Sequence, residues 1–263
     1  MSEQTETFQI PLEAAEMYEA AFVPAFFAQW APTLCEAAGV ASGRKVLDVA
    51  TGTGIVARTA ADRGATVTGV DLNEAMLTVA RRARPELDWR QGNAQRLPFG
   101  DREFDVVVSQ MALMFFPDPA AALAEMARVV VPGGTVAVMV PGALDRQAAF
   151  APFVAMAARH AGPEAVDLLT AYFRAGDLDE LAGLMGAAGP AVTEQRRVDG
   201  TYRAPSVDAF VTTEVESTPL VERMSAETYQ QIREEARTVL APFTAGDGSV
   251  AAPFEANLVV AVA

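Results

Sequence analysis

The stretch Val46-Leu47-Asp48-Val49-Ala50-Thr51-Gly52-Thr53-Gly54 constrains this chain more than any other. Val46 to Val49 read as a buried strand holding one carboxylate at Asp48, and Gly54 to Ala61 reads as the helix that follows. The turn between them is where a ligand belongs. Glycines admit close backbone approach because they lack a Cβ, and the unpaired N–H groups of a helix start attract negative groups. Dinucleotide and nucleoside sites share these properties, so the distinction between them must come from elsewhere in the chain.

The pattern repeats downstream. Gly64 closes the first helix, and Thr66 to Asp71 forms a second strand that ends in a carboxylate. Asn73 is suited to cap a helix from Glu74 to Arg84, stopped by Pro85. Leu87 to Gln91 is a weak third strand and Phe104 to Ser109 a fourth; Asp118-Pro119 opens the next helix. Pro132-Gly133-Gly134 then turns the chain into a fifth strand, Thr135 to Val140. Strands alternating with helices imply a parallel sheet with right-handed crossovers. Beyond Pro141 the alternation stops. Residues 146–189 look helical, Val192 to Val198 is a strand candidate, 207–240 is mostly helical, and Ala256 to Ala263 is a last apolar strand. The expected fold is α/β: a Rossmann-like, seven-stranded, mostly parallel sheet with helices on both faces, plus an N-terminal helical cap and a helical insertion.

Residues 12–39 carry a helical pattern broken at Pro24 and Pro32, which predicts short helices. Tyr18, Phe22, Phe26 and Trp30 are spaced by four, so on a continuous helix they would form one stripe. The stripe fits either a face packed on the core or a lid over substrate; Tyr18 stands apart because its hydroxyl needs a polar partner if buried.

Bulk properties exclude several classes. In 263 residues, 51% are hydrophobic and 21% charged, enough for one sizeable α/β domain with elaborations. A net charge of −14 and the lack of a basic, aromatic-interleaved stripe argue against a nucleic-acid partner. Cys35 is the single cysteine, so neither a disulfide framework nor a thiolate cluster forms within the chain. The first ten residues lack a signal peptide's basic start and apolar centre, and no run reaches the ~18 apolar residues of a membrane span. A cytoplasmic protein without a membrane span is the expectation.

Polar positions fall at the carboxyl ends of successive strands, where open α/β sheets bind ligands: the 50–54 turn, Asp71, and Gly92-Asn93-Ala94. Asp71 follows Gly52 by 19 residues, close to the ~20 expected of an acid that accepts ribose hydroxyls. The same residue could serve as an ordinary turn acid.

At these residues the sequence resembles the class I S-adenosylmethionine-dependent methyltransferases, in the small-molecule branch similar to ubiquinone and menaquinone biosynthesis enzymes. The matching pieces are Val46 to Gly54, Gly69-Val70-Asp71 with Met76-Leu77, Gly92-Asn93-Ala94 before Leu97-Pro98-Phe99, Phe104 to Val107, and Arg128-Val129-Val130 before Pro132-Gly133-Gly134, in family order. The relaxed dinucleotide fingerprint also fits Gly52 to Ala57, but Asp48 and the Leu-Pro-Phe and Pro-Gly-Gly segments do not belong to it.

The resemblance implies S-adenosylmethionine as cofactor. The backbone of Ala50, Thr51 and Gly52 would take its amino-acid end, Asp48 would complement the ammonium directly or through water, and Asp71 would hold the ribose. Leu72 and Met76 would pack on the adenine, and Asn93 with the Ala94 N–H would read its edge; Tyr18 joins the cofactor candidates. This sequence departs from the family at Ala50, where glycine is usual, and at Asn93, where aspartate is commoner and a neutral amide accepts more weakly. Asn93 could instead cap its own turn. On this basis residues 1–40 form the cap, 41–145 with 190–263 the cofactor-binding core including the helical segment 207–240, and 146–189 an insertion over the substrate site.

Methyl transfer from a sulfonium is an in-line displacement that depends mainly on placement and exclusion of water. Ser109, Gln110 and Met111 follow the fourth strand and are expected to face the transfer region, where Gln110-Met111 offers no cluster of oxygen ligands, so no metal is predicted. His160, the single histidine, is the candidate base, or else a helix C-terminal histidine ahead of Gly162. The apolar insertion suggests a small hydrophobic or aromatic acceptor as the partner. The same fold could also use a bound sulfonium for decarboxylation or cyclisation, or bind the cofactor without turnover.

Overall fold

The computed structural model describes residues 9–216 and 218–263. Strands β1 (Lys45–Val49), β2 (Thr66–Asp71), β3 (Asp88–Gln91), β4 (Phe104–Gln110), β5 (Val130–Pro141), β6 (Ala191–Ala204) and β7 (Val250–Val262) make one seven-stranded sheet in the order β3-β2-β1-β4-β5-β7-β6. The pairs β1/β2, β1/β4, β2/β3 and β4/β5 are parallel. The Gly133 N–H donates to the Ala263 carbonyl at 2.7 Å, and Ala263 returns the bond to Gly134 at 3.0 Å. Joining the early part of β5 to the end of β7, these bonds make that pair antiparallel. The mostly parallel, seven-stranded Rossmann-like sheet expected from the sequence is therefore present.

Helices occupy the crossovers for local reasons. In α4 (Ile55–Asp62), Val56, Ala57 and Ala60 are buried, and in α6 (Pro119–Val129), Ala122, Leu123, Met126 and Val129 are buried at the three- and four-residue spacing of one helix face. Asn73 caps α5 (Glu74–Ala83) by accepting the Ala75 N–H at 2.9 Å, and Asp118 caps α6 by accepting the Ala121 N–H at 2.9 Å. No helix among the described residues is long and apolar enough to cross a membrane.

The N-terminal segment departs from a simple helical stripe. Its helices α1 (Leu12–Met17), α2 (Val23–Ala25) and α3 (Ala31–Ala37) are separated by a π-helical turn, Tyr18–Phe22, and a 3₁₀ turn, Phe27–Gln29. Phe26 leaves helical geometry at φ −138°. The four aromatic residues therefore do not share one face. Phe26 and Trp30 are buried with ring centroids 5.9 Å apart, whereas Tyr18 packs on Phe27 at 4.9 Å. The Pro-Gly-Gly segment also behaves differently from expectation, since it lies inside β5, which begins at Val130 with a register shift between Phe104 and Val106.

The chain divides into two compact units. The first contains the described residues up to Met139, Asp179–Arg196 and Leu258–Ala263, and so holds most of α9 (Leu178–Ala187). The second contains Val140–Leu178 and Arg197–Asn257, with helices α7 (Phe150–Ala161), α8 (Glu164–Leu169), α10 (Val207–Glu216) and α11 (Ala226–Val239). This partition differs from the sequence expectation. Segment 207–240 groups with 140–178 rather than with the first unit, and most of α9 leaves the insertion.

The second unit has an aromatic core. Phe150 meets Phe173, Tyr202, Phe210 and Phe254 with ring centroids 5.8, 5.4, 5.2 and 5.4 Å away. Buried beside Tyr202, whose hydroxyl donates to it, the Glu214 carboxyl is pushed up to about 7 by desolvation.

Candidate functional site

The first unit gathers its polar residues at the carboxyl edge of the parallel strands, because the register aligns the ends of β1, β2 and β3. Val49 pairs with Val70, and Asp71 pairs with Gln91. The Gly-rich turn emerges from β1 in a left-handed conformation at Ala50 (φ 57°), Gly52 (φ 56°) and Gly54 (φ 91°). At Ala50 this conformation is strained, by roughly 1–2 kcal/mol for a residue with a Cβ. Thr51 N–H donates to the Val70 carbonyl at 3.0 Å, which ties the turn to β2.

Two carboxylates fix the turn. Asp48 is 1% exposed; its Oδ2 accepts the Thr51 hydroxyl at 2.6 Å and the Ala57 N–H at 3.0 Å, so it clamps the turn to the first turn of α4. Desolvation pushes its carboxyl up to about 7, against the opposing pull of these two bonds. Asp71 accepts the Gly52 N–H on Oδ2 and the Asn73 N–H on Oδ1, both at 2.8 Å. Burial raises its pKa, opposed by its backbone bonds.

Tyr18 closes the turn from above. A Cβ built on Gly52 would lie 3.9 Å from both the Tyr18 hydroxyl and a ring carbon, so the tyrosine sits within van der Waals reach of the turn. Burial, followed by the charges of Asp71, Glu19 and Asp48, raises the Tyr18 pKa and keeps the hydroxyl protonated. Leu72 and Met76 are half-buried beside Asp71, as are Asn93 and Ala94 after β3. Asn93 Oδ1 accepts the Gln95 N–H at 2.8 Å, the turn-capping arrangement, with its second lone pair remaining.

At the end of β4, Ser109 is 1% exposed and Gln110 9% exposed. Gln110 Nε2 donates to the Phe27 carbonyl at 3.1 Å, while Ser109 Oγ and Gln110 Oε1 have no partner among the described residues. Met111 follows in a left-handed conformation at φ 53°. Buried polar atoms without partners are costly and are kept where a ligand completes them. The carboxylates at the Gly-rich turn and these unpaired groups fit a nucleoside linked to an amino acid.

His160 lies in the second unit, on the last turn of α7 ahead of the C-cap Gly162 at φ 84°. Its Nε2 is 2.6 Å from Glu235 Oε2, and Arg159 pairs with the same carboxylate. This is the helix C-terminal position anticipated as the alternative to a base.

Two features escaped sequence reasoning. Trp89, on the weak third strand, lies so close to the turn that a Cβ on Gly54 would approach its ring to 2.4 Å and one on Gly69 to 2.6 Å. Its Nε1 donates to the Arg84 carbonyl at 2.8 Å. A lone Trp in a short polar strand gives no sign of this. The second is a bidentate ion pair between Arg58 on α4 and Glu19, at 2.8 and 3.0 Å, between residues 39 apart in sequence.

Residues 47–138 match a family described as a methyltransferase domain. Over these residues the chain is similar to that methyltransferase domain. A demethylmenaquinone methyltransferase from Renibacterium salmoninarum is 42% identical over 110 residues, covering 42% of this chain and 46% of that one. An uncharacterized protein of Mycobacterium tuberculosis is 46% identical over 112 residues, 41% of each chain. The chain thus spans less than half the length of these curated relatives. Haemonchus contortus phosphoethanolamine N-methyltransferase 2, solved with phosphomonomethylethanolamine and S-adenosylhomocysteine, superposes with a TM-score of 0.59 at 19% identity, covering 95% of this chain and 57% of that chain. That likeness is one of fold, and it extends beyond residues 47–138. Within the matched residues lie the Gly-rich turn, Asp71, Asn93, Ser109 and Gln110.

Proposed function

We propose that the protein binds S-adenosylmethionine and transfers its methyl group to a small organic acceptor. The observation that carries this reading is the joint hold of Asp48 and Asp71 on one Gly-rich turn inside the residues matched to a methyltransferase domain. Asp71 accepts the ribose hydroxyls on the lone pairs that Gly52 and Asn73 leave. Leu72 and Met76 flank the adenine, and Ala94 N–H with the Asn93 amide meets its edge. The backbone of Ala50 to Gly52 and the hydroxyl of Tyr18 hold the amino-acid end, with Asp48 supplying negative charge beneath its ammonium. Ser109 Oγ and Gln110 Oε1 gain partners at the same end.

When bound, the cofactor supplies a methyl group on a positively charged sulfur, which leaves as a neutral thioether as the acceptor's lone pair forms the new bond. The chain's own contribution is placement and exclusion of water, the effects that dominate a displacement of this kind. No base is part of the proposal. A small-molecule acceptor is supported by relatives named demethylmenaquinone methyltransferases, and a hydrophobic or aromatic one by the apolar character of the second unit.

Calorimetry with S-adenosylhomocysteine is the first test, followed by mass spectrometric detection of that product with an acceptor panel. Micromolar binding supports the reading. Absence of binding to either S-adenosylmethionine or S-adenosylhomocysteine overturns it.

A further inference from the structure

The ion pair of Glu19 with Arg58 has no role in the chemistry above, yet it joins the two sides of the cofactor turn. Glu19 belongs to the π-helical turn Tyr18–Phe22, and Arg58 sits one turn into α4, the helix that the Gly-rich turn opens. Both carboxylate oxygens of Glu19 are used, and the side chains are only 26% and 17% exposed. Arg58 Nε is buried without a partner among the described residues, so Glu19 provides the charge compensation that this guanidinium has there. A half-buried cation that loses its one carboxylate is costly, which makes the pair a strong constraint on where residue 19 can be.

Tyr18 is the residue directly before Glu19. Fixing Glu19 against α4 fixes Tyr18 over Gly52, and both residues belong to one π turn, a form uncommon in helices and frequent at functional sites. The segment is held again at Phe27, whose carbonyl accepts from Gln110. Between these anchors it crosses the turn to which the cofactor reading assigns the amino-acid end.

We propose that the Glu19–Arg58 pair is a latch: it positions Tyr18 over the Gly-rich turn and must open for the nucleoside cofactor to enter or leave. This inference rests on the function proposed above. Glu19 and Arg58 are positioning residues and act through Tyr18. A latch slows both directions of exchange, so its loss raises association and dissociation rates together while affinity changes less; a merely structural contact changes thermal stability and leaves both rates alone.

Stopped-flow measurements with S-adenosylhomocysteine, following tryptophan fluorescence, read this directly. In Glu19→Gln both rate constants are expected to rise about tenfold, and the parent's rates to rise with salt while the variant's do not. The exchanged pair, Glu19→Arg with Arg58→Glu, is expected to restore slow exchange, which guards against a folding defect in the single variant. Rates in Glu19→Gln within twofold of the parent overturn the latch while leaving the cofactor site standing. A parent protein that binds no S-adenosylhomocysteine in calorimetry overturns the site, and the latch with it.

Discussion

Asp71 Oδ2 accepts the Gly52 N–H at 2.8 Å, so the end of β2 and the middle of the glycine turn are one hydrogen-bonded unit. Replacing Asp71 with Ala therefore removes the proposed ribose acceptor and leaves the Gly52 N–H unpaired. Affinity for S-adenosylhomocysteine is expected to fall by at least about 100-fold in calorimetry, with ~1–3 kcal/mol lost in urea unfolding. Unchanged affinity would remove Asp71 from the site.

The carboxyls of Asp48 and Glu214 are both pushed up to about 7 by burial, from ordinary values of 3.8 and 4.5. A raised carboxyl pKa means that the folded state holds its proton longer than the unfolded chain. Stability from these groups is then fully present below about pH 4 and is lost as pH rises through 7. Between pH 5 and 8 the melting temperature should fall, and Asp48→Asn or Glu214→Gln should flatten that slope. A parent whose melting temperature climbs steadily across this range would contradict the assignment.

Ala50 holds φ 57° with a Cβ. Ala50→Gly relieves that strain at the cost of extra freedom in the unfolded chain, so thermal unfolding should show a change between zero and a gain of about 1 kcal/mol. Ala50→Val, which adds β-branching to the same conformation, should lose roughly 1–3 kcal/mol. Equal stability of the Gly and Val variants would show that the turn relaxes without strain.

His160, half-buried on α7, is paired with Glu235 on α11. His160→Ala is expected to cost less than about 1 kcal/mol and to leave methyl transfer within a few-fold of the parent. A loss of 100-fold or more, with cofactor affinity intact, would make this histidine the base.

The strand-turn-helix at Val46 to Asp62 was legible because its signals are local: an apolar run, glycines where φ is positive, and a helix face that repeats every three or four residues. That Asp71 ends β2 was legible from the apolar run before it. Asn93 carried alternatives in sequence, and the structure shows its oxygen capping Gln95. What stayed hidden depends on long-range packing. The break at Phe26 and the π turn arise where Tyr18, Phe26 and Phe27 settle against different neighbours, which a four-residue spacing cannot reveal. The grouping of 207–240 with 140–178 follows from aromatic contacts between Phe150 and Phe210, 60 residues apart in sequence.

The indole of Trp89 occupies the volume that side chains at positions 54 and 69 would need. The ring is therefore packed against both positions beside the Gly-rich turn, and neither glycine can gain a side chain while it is there. Gly69→Ala should be poorly tolerated beside Trp89 and much better tolerated beside Leu, and Trp89→Leu should be the more damaging when both glycines remain. Divergence at positions 69 and 89 is a matter of order: the ring must shrink before Gly69 can grow, whereas Gly54, at φ 91°, is held to glycine by its backbone as well.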